Sequence, residues 1–344
     1  MKRLYTEFDT KRKNEISSRR ELRRKNTLKS RKKKKVIGSN DRYYNNVITN
    51  SPIVAPSDFR LLENTEKCLN FFGEIRNAQN LSIMKNRRFV AISLRKVKQV
   101  DYSTISVLIA ISEDFTFQRI AFRGDSPADE TVNQYFIDSG FFEHLFDSNG
   151  KLFPKSTKSD KLSFEKGSQL FDIKDNRRIS EIIKKINHHL TGKYSHNPRL
   201  RTVLLEIFAN SIEWSQTNNK QWLLGVKYDD DSVIITVTDV GKGILRTLNK
   251  KWGRKFFDKA QLKSNKDILT GAFDKKYGSS SQKVNRNKGL PSIKSSYQDG
   301  VISELKVLTN NVIIHFDNPL MSRTFPRGTS WFKGTFYRCV VKKS

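Results

Sequence analysis

Apolar side chains recur at helical spacing through the segment LLEIFANSIEWSQ and the residue just before it. Val203, Leu204, Ile207, Phe208 and Ile212, joined by Ser211, fill one arc of a helix. At about 100° per residue, Glu206, Asn210 and Glu213 fall within about 60° of one another beside that arc. A helix next to a core therefore presents carboxylate, amide and carboxylate along one edge. A solvated polar face explains such a row in most amphipathic helices, so its meaning depends on the motifs farther along the chain.

The same spacing in ISEIIKKINHHL (Ile179, Ile182, Ile183, Ile186, Leu190) predicts a second amphipathic helix upstream. QWLLGVKYDDDSVIITVTD predicts a hairpin, two β-rich runs around an Asp-rich turn. VISELKVLT, NVIIHF and TSWFKGTFYRCVV read as strands. In the first half, RRFVAISLRKV predicts a strand around Phe89–Leu94. VDYSTISVLIAISED predicts a helix with Ile105, Leu108, Ile109 and Ser112 on one side. QRIAFRGD predicts a second strand, and DETVNQYFIDSGFFEHL a helix broken at Gly140. This β-α-β-α order with short connections predicts a sheet covered by helices. Residues 151–175 are polar without a sustained period and read as a loop or linker. The pattern predicts a two-domain α/β chain: a tail and linker over 1–56, one α/β unit over 57–150, a linker over 151–175 and a second α/β unit over 176–344. There is no internal repeat.

Charge adds a partner to this picture. The chain carries 65 Lys and Arg against 35 Asp and Glu, a net charge of +30. Residues 1–40 hold sixteen of the basic residues and four of the acidic ones. Their segment RRELRRKNTLKSRKKKK has no usable apolar face, which predicts disorder or a weak helix. Lys242–Lys288 is a second long basic stretch. Such an excess calls for a polyanion: nucleic acid, nucleotide phosphates or an acidic protein. No run approaches about 18 consecutive apolar residues, so no transmembrane helix is expected. The basic N-terminus is not followed by an apolar region, so no secretory signal is expected. Cys68 and Cys339 form neither metal spacing nor a disulfide framework, which suits a reducing cytoplasm. The five histidines make no zinc constellation, and His188 and His189 read as exposed polar positions on their helix.

The candidate chemistry begins where the predicted hairpin ends, in TDVGKGI. Asp239 stands at a strand end and is followed by Gly241 and Gly243, which suits a buried acceptor with backbone packed against a flat ligand. Farther on, NRNKGLPSIK places Gly289 before an apolar helix start, where free amides suit phosphate. Near the end, FKGTFYRC holds a Gly-Thr inside a strand. Glu-x-x-x-Asn on a helix, Asp-x-Gly-x-Gly after a strand, a long intervening segment, a Gly-Leu helix start and a late Gly-Thr strand together resemble the GHKL ATPases. The resemblance covers residues 176–344 and implies a Bergerat α/β sandwich that binds ATP with Mg2+. It implies that Glu206 polarises the attacking water, that Asn210 is the magnesium ligand and that Asp239 accepts from the adenine amino group. It further implies that Gly241 and Gly243 lie beneath the purine, that Gly289 cradles phosphate in a lid and that Thr335 stands near Asp239. Asn287-Lys288-Gly289 replaces the family's usual Gly-x-Gly, and no histidine stands where a histidine kinase would carry it.

The first unit is similar to a STAS domain of the anti-sigma-factor-antagonist type. The similarity lies in the strand, loop and helix of VAISLRKVKQVDYSTISVLIAI, with Asp101-Tyr102-Ser103-Thr104 in the loop. Ser103 and Thr104 there read either as a plain helix start or as phosphorylation sites. The resemblances lead to two expectations. One is an ATP-driven conformational switch acting on a protein partner or on nucleic acid, the latter through residues 1–40 and the lid. The other is a serine/threonine kinase of the anti-sigma-factor type acting on a STAS domain. The order of the motifs fixes neither the partner nor the oligomeric state.

Overall fold

The computed structural model describes residues 48–84, 87–153, 161–167, 173–214, 221–248, 264–274 and 289–343. The first half holds β1 (Ile53–Val54), β2 (Asp58–Phe59), α1 (Thr65–Ile75), β3 (Ser82–Met84), β4 (Arg87–Ser93), β5 (Gln99–Val100), α2 (Tyr102–Phe117), β6 (Ile120–Gly124) and α3 (Glu130–Asp138). The second half holds β7 (Leu162–Gly167), α4 (Ile173–Thr191), α5 (Pro198–Trp214), β8 (Trp222–Asp229), β9 (Ser232–Asp239), α6 (Asn265–Phe273), α7 (Gly289–Gln298), β10 (Ser303–Asn310), β11 (Val312–His315), β12 (Arg323–Thr324) and β13 (Phe332–Lys342). The protein is mixed α/β, as the periodicity predicts.

Strand β4 is the axis of the first sheet. It pairs in parallel with β6 and β1 and antiparallel with β3. The second sheet has seven strands in the order β12-β11-β10-β13-β9-β8-β7, each pair antiparallel. Its two faces follow from strand alternation. On β9, Val233, Ile235 and Val237 point into a core shared with Ile183 of α4 and Val203, Leu204 and Ile207 of α5. On the other face, Leu223, Leu308, Phe332 and Phe336 join a core with Ile105 and Leu108 of α2 and Phe72 of α1. Residues 48–344 form one compact unit.

Helix α2 lies between the two sheets. The spacing predicts one apolar side, yet thirteen of its sixteen residues are buried. A helix packed on both sides is buried all round, and its small hydroxyls make this tolerable. Ser106 Oγ lies 3.0 Å from Thr238 Oγ1 and accepts at 3.0 Å from Thr236 Oγ1, so three buried hydroxyls satisfy one another between helix and sheet. At the start of α2, Asp101 Oδ1 accepts from the Thr104 backbone N–H at 2.7 Å, an N-cap.

The expected linker also differs. Residues 162–167 are strand β7, paired with β8 along Leu162–Gly167, and so belong to the seven-stranded sheet. The apolar alternation of Leu162 and Phe164 is too short to stand out from its polar surroundings. A tertiary contact anchors it: Phe164 stacks on Tyr102, ring centroids 4.9 Å apart, and the Tyr102 hydroxyl donates to the Ser163 carbonyl at 2.8 Å.

Candidate functional site

The site is built where β9 ends beside the start of β13, with α5 packed over β9 and α7 packed against α5. Asp239 and Thr335 are register partners across this strand pair. The Asp239 side chain is buried, 4 % exposed. Its Oδ1 accepts from the Gly241 backbone N–H at 2.9 Å, and Thr335 donates to it as well. Burial pushes the Asp239 carboxyl from 3.8 up to about 7, against the pull of those donors and of the Arg76 charge. The acid is thus poised between its two forms near neutral pH, because burial outweighs the donors that favour its ionised form.

The backbone around this carboxylate is tight. Gly334, just before Thr335, has φ +148°, and a β-carbon there would sit 2.0 Å from the Asp239 carbonyl oxygen. Only glycine admits that approach of β13 to β9. Gly243 has φ +81°, and a β-carbon there would meet the Asn310 amide nitrogen at 2.6 Å and Thr309 Oγ1 at 2.7 Å. The second glycine of the Asp-x-Gly-x-Gly segment therefore lets the chain turn against β10.

Asn310 is a residue that sequence reasoning missed. It lies at the β10–β11 turn with φ +52° and is 1 % exposed. Its Oδ1 accepts from the backbone N–H of Leu245 at 3.1 Å, while its Nδ2 donates to the Lys242 carbonyl at 2.9 Å. Thr309 Oγ1 accepts from the Ile244 N–H at 2.9 Å. Together they cap the helical turn of residues 244–248 from a distant strand. An Asn-Asn pair between two β runs signals a turn, but nothing local to it tells which helix it caps.

On α5, Glu206 and Asn210 are half-buried at the edge of the face formed by Val203, Leu204, Ile207 and Phe208. Asn210 lies against the start of α7. A β-carbon on Gly289 would come within 2.7 Å of Asn210 Oδ1 and 3.0 Å of its Nδ2. The structure thus brings together Asn210 with Gly289, and Asp239 with Gly241 and Thr335. Helix α5 packs over β9 on the face that carries Asp239. Among the described residues, the buried Asn210 Nδ2 and the Tyr337 hydroxyl on this face have no hydrogen-bond partner. Tyr337 stands two residues beyond Thr335 on the same face of β13. Burial first, and the Asp239 charge second, push its hydroxyl well above the ordinary tyrosine range. Orphaned polar atoms of this kind suit a polar ligand.

The Glu213 side chain, Asn287, Lys288, most of the basic 242–288 stretch and the basic tail lie outside the described residues. Within that stretch, α6 carries a full capping box between Ser264 and Asp267 and buries Ile268, Leu269 and Phe273. Ser103 and Thr104 are 3 % and 0 % exposed, and the Thr104 hydroxyl donates to the Phe59 carbonyl at 2.5 Å. Neither hydroxyl is open to an incoming phosphate in this conformation.

A separate cleft of about 700 Å3 is lined by residues that include His144, Glu165, His188, His189, Tyr228 and Asp229 and contains none of the site residues above. Among the described residues no group of three or more His, Cys, Asp or Glu could hold a metal ion. Cys68 and Cys339 are free and buried. No helix among the described residues is long and apolar enough to cross a membrane. No protein-family model matches the chain, and no curated protein matches it.

Proposed function

We propose that residues 176–344 form a GHKL-type nucleotide-binding unit and that the protein is an ATP-driven switch with ATPase activity. The observation that carries this reading is the Asp239–Thr335 pair: a buried carboxylate at a strand end, held by the Gly241 amide and by the hydroxyl and amide of Thr335, with titration near neutrality. A further donor, such as the amino group of adenine, stabilises a carboxylate in that setting more than it would one already paired. The orphaned Asn210 amide beside Gly289 supports the phosphate end of the same reading.

In this assignment Asp239 and Thr335 hold the purine, Gly241 and Gly243 bring backbone beneath it, and Gly289 approaches the phosphates. Asn210 would hold Mg2+ through its amide oxygen, a hard ligand of the kind that ion takes. The ion supplies charge neutralisation on the phosphate oxygens when bound. Glu206, one helical turn before Asn210, would accept a proton from water. The first half, STAS-like in its strand-helix order, packs directly on the nucleotide-binding sheet and is the part that would carry the switch to a partner. Two buried free thiols fit a reducing, cytoplasmic setting.

Calorimetry with Mg-ATP tests binding, and incubation with γ-labelled ATP tests what becomes of the phosphate. Label released as free phosphate is the expected result. Label retained on protein would replace the ATPase by a kinase, and absence of Mg-ATP binding would remove both.

A further inference from the structure

Helix α1 belongs to the first half of the chain, yet it reaches the nucleotide-binding strands of the second. Asn70, Gly73 and Arg76, spaced three apart, meet the segment that leads into Gly334 and Thr335. Asn70 Oδ1 accepts from the Ser330 backbone N–H at 2.7 Å. A β-carbon on Gly73 would sit 2.5 Å from the Ser330 side chain, so α1 lies close against it. Arg76 then bridges two strand ends. It donates from Nη2 to the Val240 carbonyl at 2.8 Å and from Nη1 to the Lys333 carbonyl. Val240 follows Asp239 on one strand, and Lys333 precedes Gly334-Thr335 on the other. The same guanidinium lies 3.7 Å from Asp114 of α2, and both side chains are largely buried.

We propose that Arg76 is a positioning residue for the nucleotide pocket, through which the first half of the chain sets nucleotide affinity by holding Asp239 and Thr335 in place and Asp239 in its acceptor form. This role rests on the nucleotide reading above. The guanidinium ties the two strand ends on which the buried acid and its threonine partner stand, so any displacement of α1 reaches the pocket through two backbone carbonyls. It also places a cation behind a carboxylate that burial drives toward neutrality. The groups that act on Asp239 are Thr335 and Tyr337 from β13 and, across the sheet, the charge of Arg76 at the end of α1, with Asp114 of α2 beside Arg76. Lys333 adds positive charge near Arg76, and Arg246 adds it near Lys333. Of these, Arg76 is the cation that favours the ionised form of Asp239.

The test uses the full-length chain, Mg-ATP as probe, and calorimetry from pH 5.5 to 9, with circular dichroism as a check on folding. Wild-type affinity should fall as pH drops through about 7, where Asp239 takes up a proton. Arg76→Gln loses the cation and the bridge between the two carbonyls, so it should weaken binding at pH 7 by about tenfold and recover part of it at pH 9. Arg76→Lys keeps the cation but cannot span both carbonyls, so its pH midpoint should stay near that of the wild type while its plateau affinity falls. Asp114→Asn removes the opposing charge and should move the midpoint to lower pH, which keeps the test alive if Arg76→Gln fails to fold. Affinity and pH profile unchanged in Arg76→Gln, or an unmoved midpoint in Asp114→Asn, would overturn the role of Arg76 while leaving the pocket standing. Failure of the wild type to bind Mg-ATP at any pH would overturn the pocket and this role with it.

Discussion

Asp239 and Thr335 face each other across β9 and β13, and the acid is buried with the Gly241 amide and the threonine as its donors. On the proposed function, this arrangement sets stability against binding. Asp239 titrates at 3.8 in an unfolded chain and at about 7 in the fold. Between those values the unfolded chain has released the proton that the folded chain still holds, so stability falls as pH rises from 3.8 to about 7 and levels off above.

Asp239→Asn removes this loss. The variant should be more stable than the wild type above pH 7, by at most about 4 kcal/mol, and no more stable below pH 3.8. The same change should weaken Mg-ATP binding by about 1.5–3 kcal/mol, because a neutral amide is a poorer acceptor. Thermal unfolding at several pH values and calorimetry measure the two effects. Unchanged ATP affinity would remove Asp239 from the pocket.

Glu206→Ala should retain Mg-ATP and slow its hydrolysis by roughly 100-fold or more, the scale of a lost general base. Asn210→Ala should weaken both binding and turnover, and its binding defect should shrink when Mg2+ is withheld. Normal turnover by the Glu206 variant would return that residue to the solvated edge of its helix.

Gly334→Ala forces a side chain into the Asp239 carbonyl oxygen and into a backbone conformation that L-residues rarely adopt. Destabilisation of about 3 kcal/mol or more is expected, read from the urea midpoint. A loss within about 0.5 kcal/mol would mean that the two strands can separate there at little cost.

The segment 176–344 expressed alone should aggregate or bind apolar dyes. It would expose Leu223, Leu308, Phe332 and Phe336, which the first half covers, and would lose β7 from the sheet edge. Cooperative unfolding of that fragment near the full-length midpoint would show that the second half needs no cover.

Residues 1–40 carry charge without a packing role legible in their sequence, and nucleic acid is the partner proposed for them. Binding of the full-length chain to duplex DNA should weaken steeply with salt, with a log–log slope of about −0.9 per phosphate neutralised. Removal of residues 1–40 should flatten that slope and leave Mg-ATP affinity intact. No binding at low salt would leave the tail either a solubilising role alone or an acidic protein as its partner.

The elements with strong local period were legible in the sequence: α4, α5, the β8–β9 hairpin, β4 with β6, and the late strands. The Glu206–Asn210 edge and the Asp239 strand end were legible for the same reason, since helical and strand spacing place them. What the sequence hid depends on partners distant along the chain. Strand β7 is recognised only by pairing with β8, and Asn310 only by the helical turn 65 residues earlier. The burial of α2 on both sides was masked by Ser103, Thr104 and Ser106, whose polarity reads as an outer face until hydroxyls on β9 answer Ser106 and the Phe59 carbonyl answers Thr104. Arg76 looks like one more surface cation until the strand ends it bridges are in place.

The order of the seven strands also governs how the protein is made. Strand β13 lies between β9 and β10, yet the ribosome delivers it after both. Until it emerges, the nascent sheet exists as two halves, each with an unpaired edge exposed, the kind of intermediate that invites wrong pairing. Insertion of β13 closes those edges and seats Thr335 opposite Asp239 in one event. A nascent chain stalled before residue 332 should therefore be unable to recognise nucleotide, and chaperone dependence should be concentrated in the interval between the synthesis of β10 and that of β13.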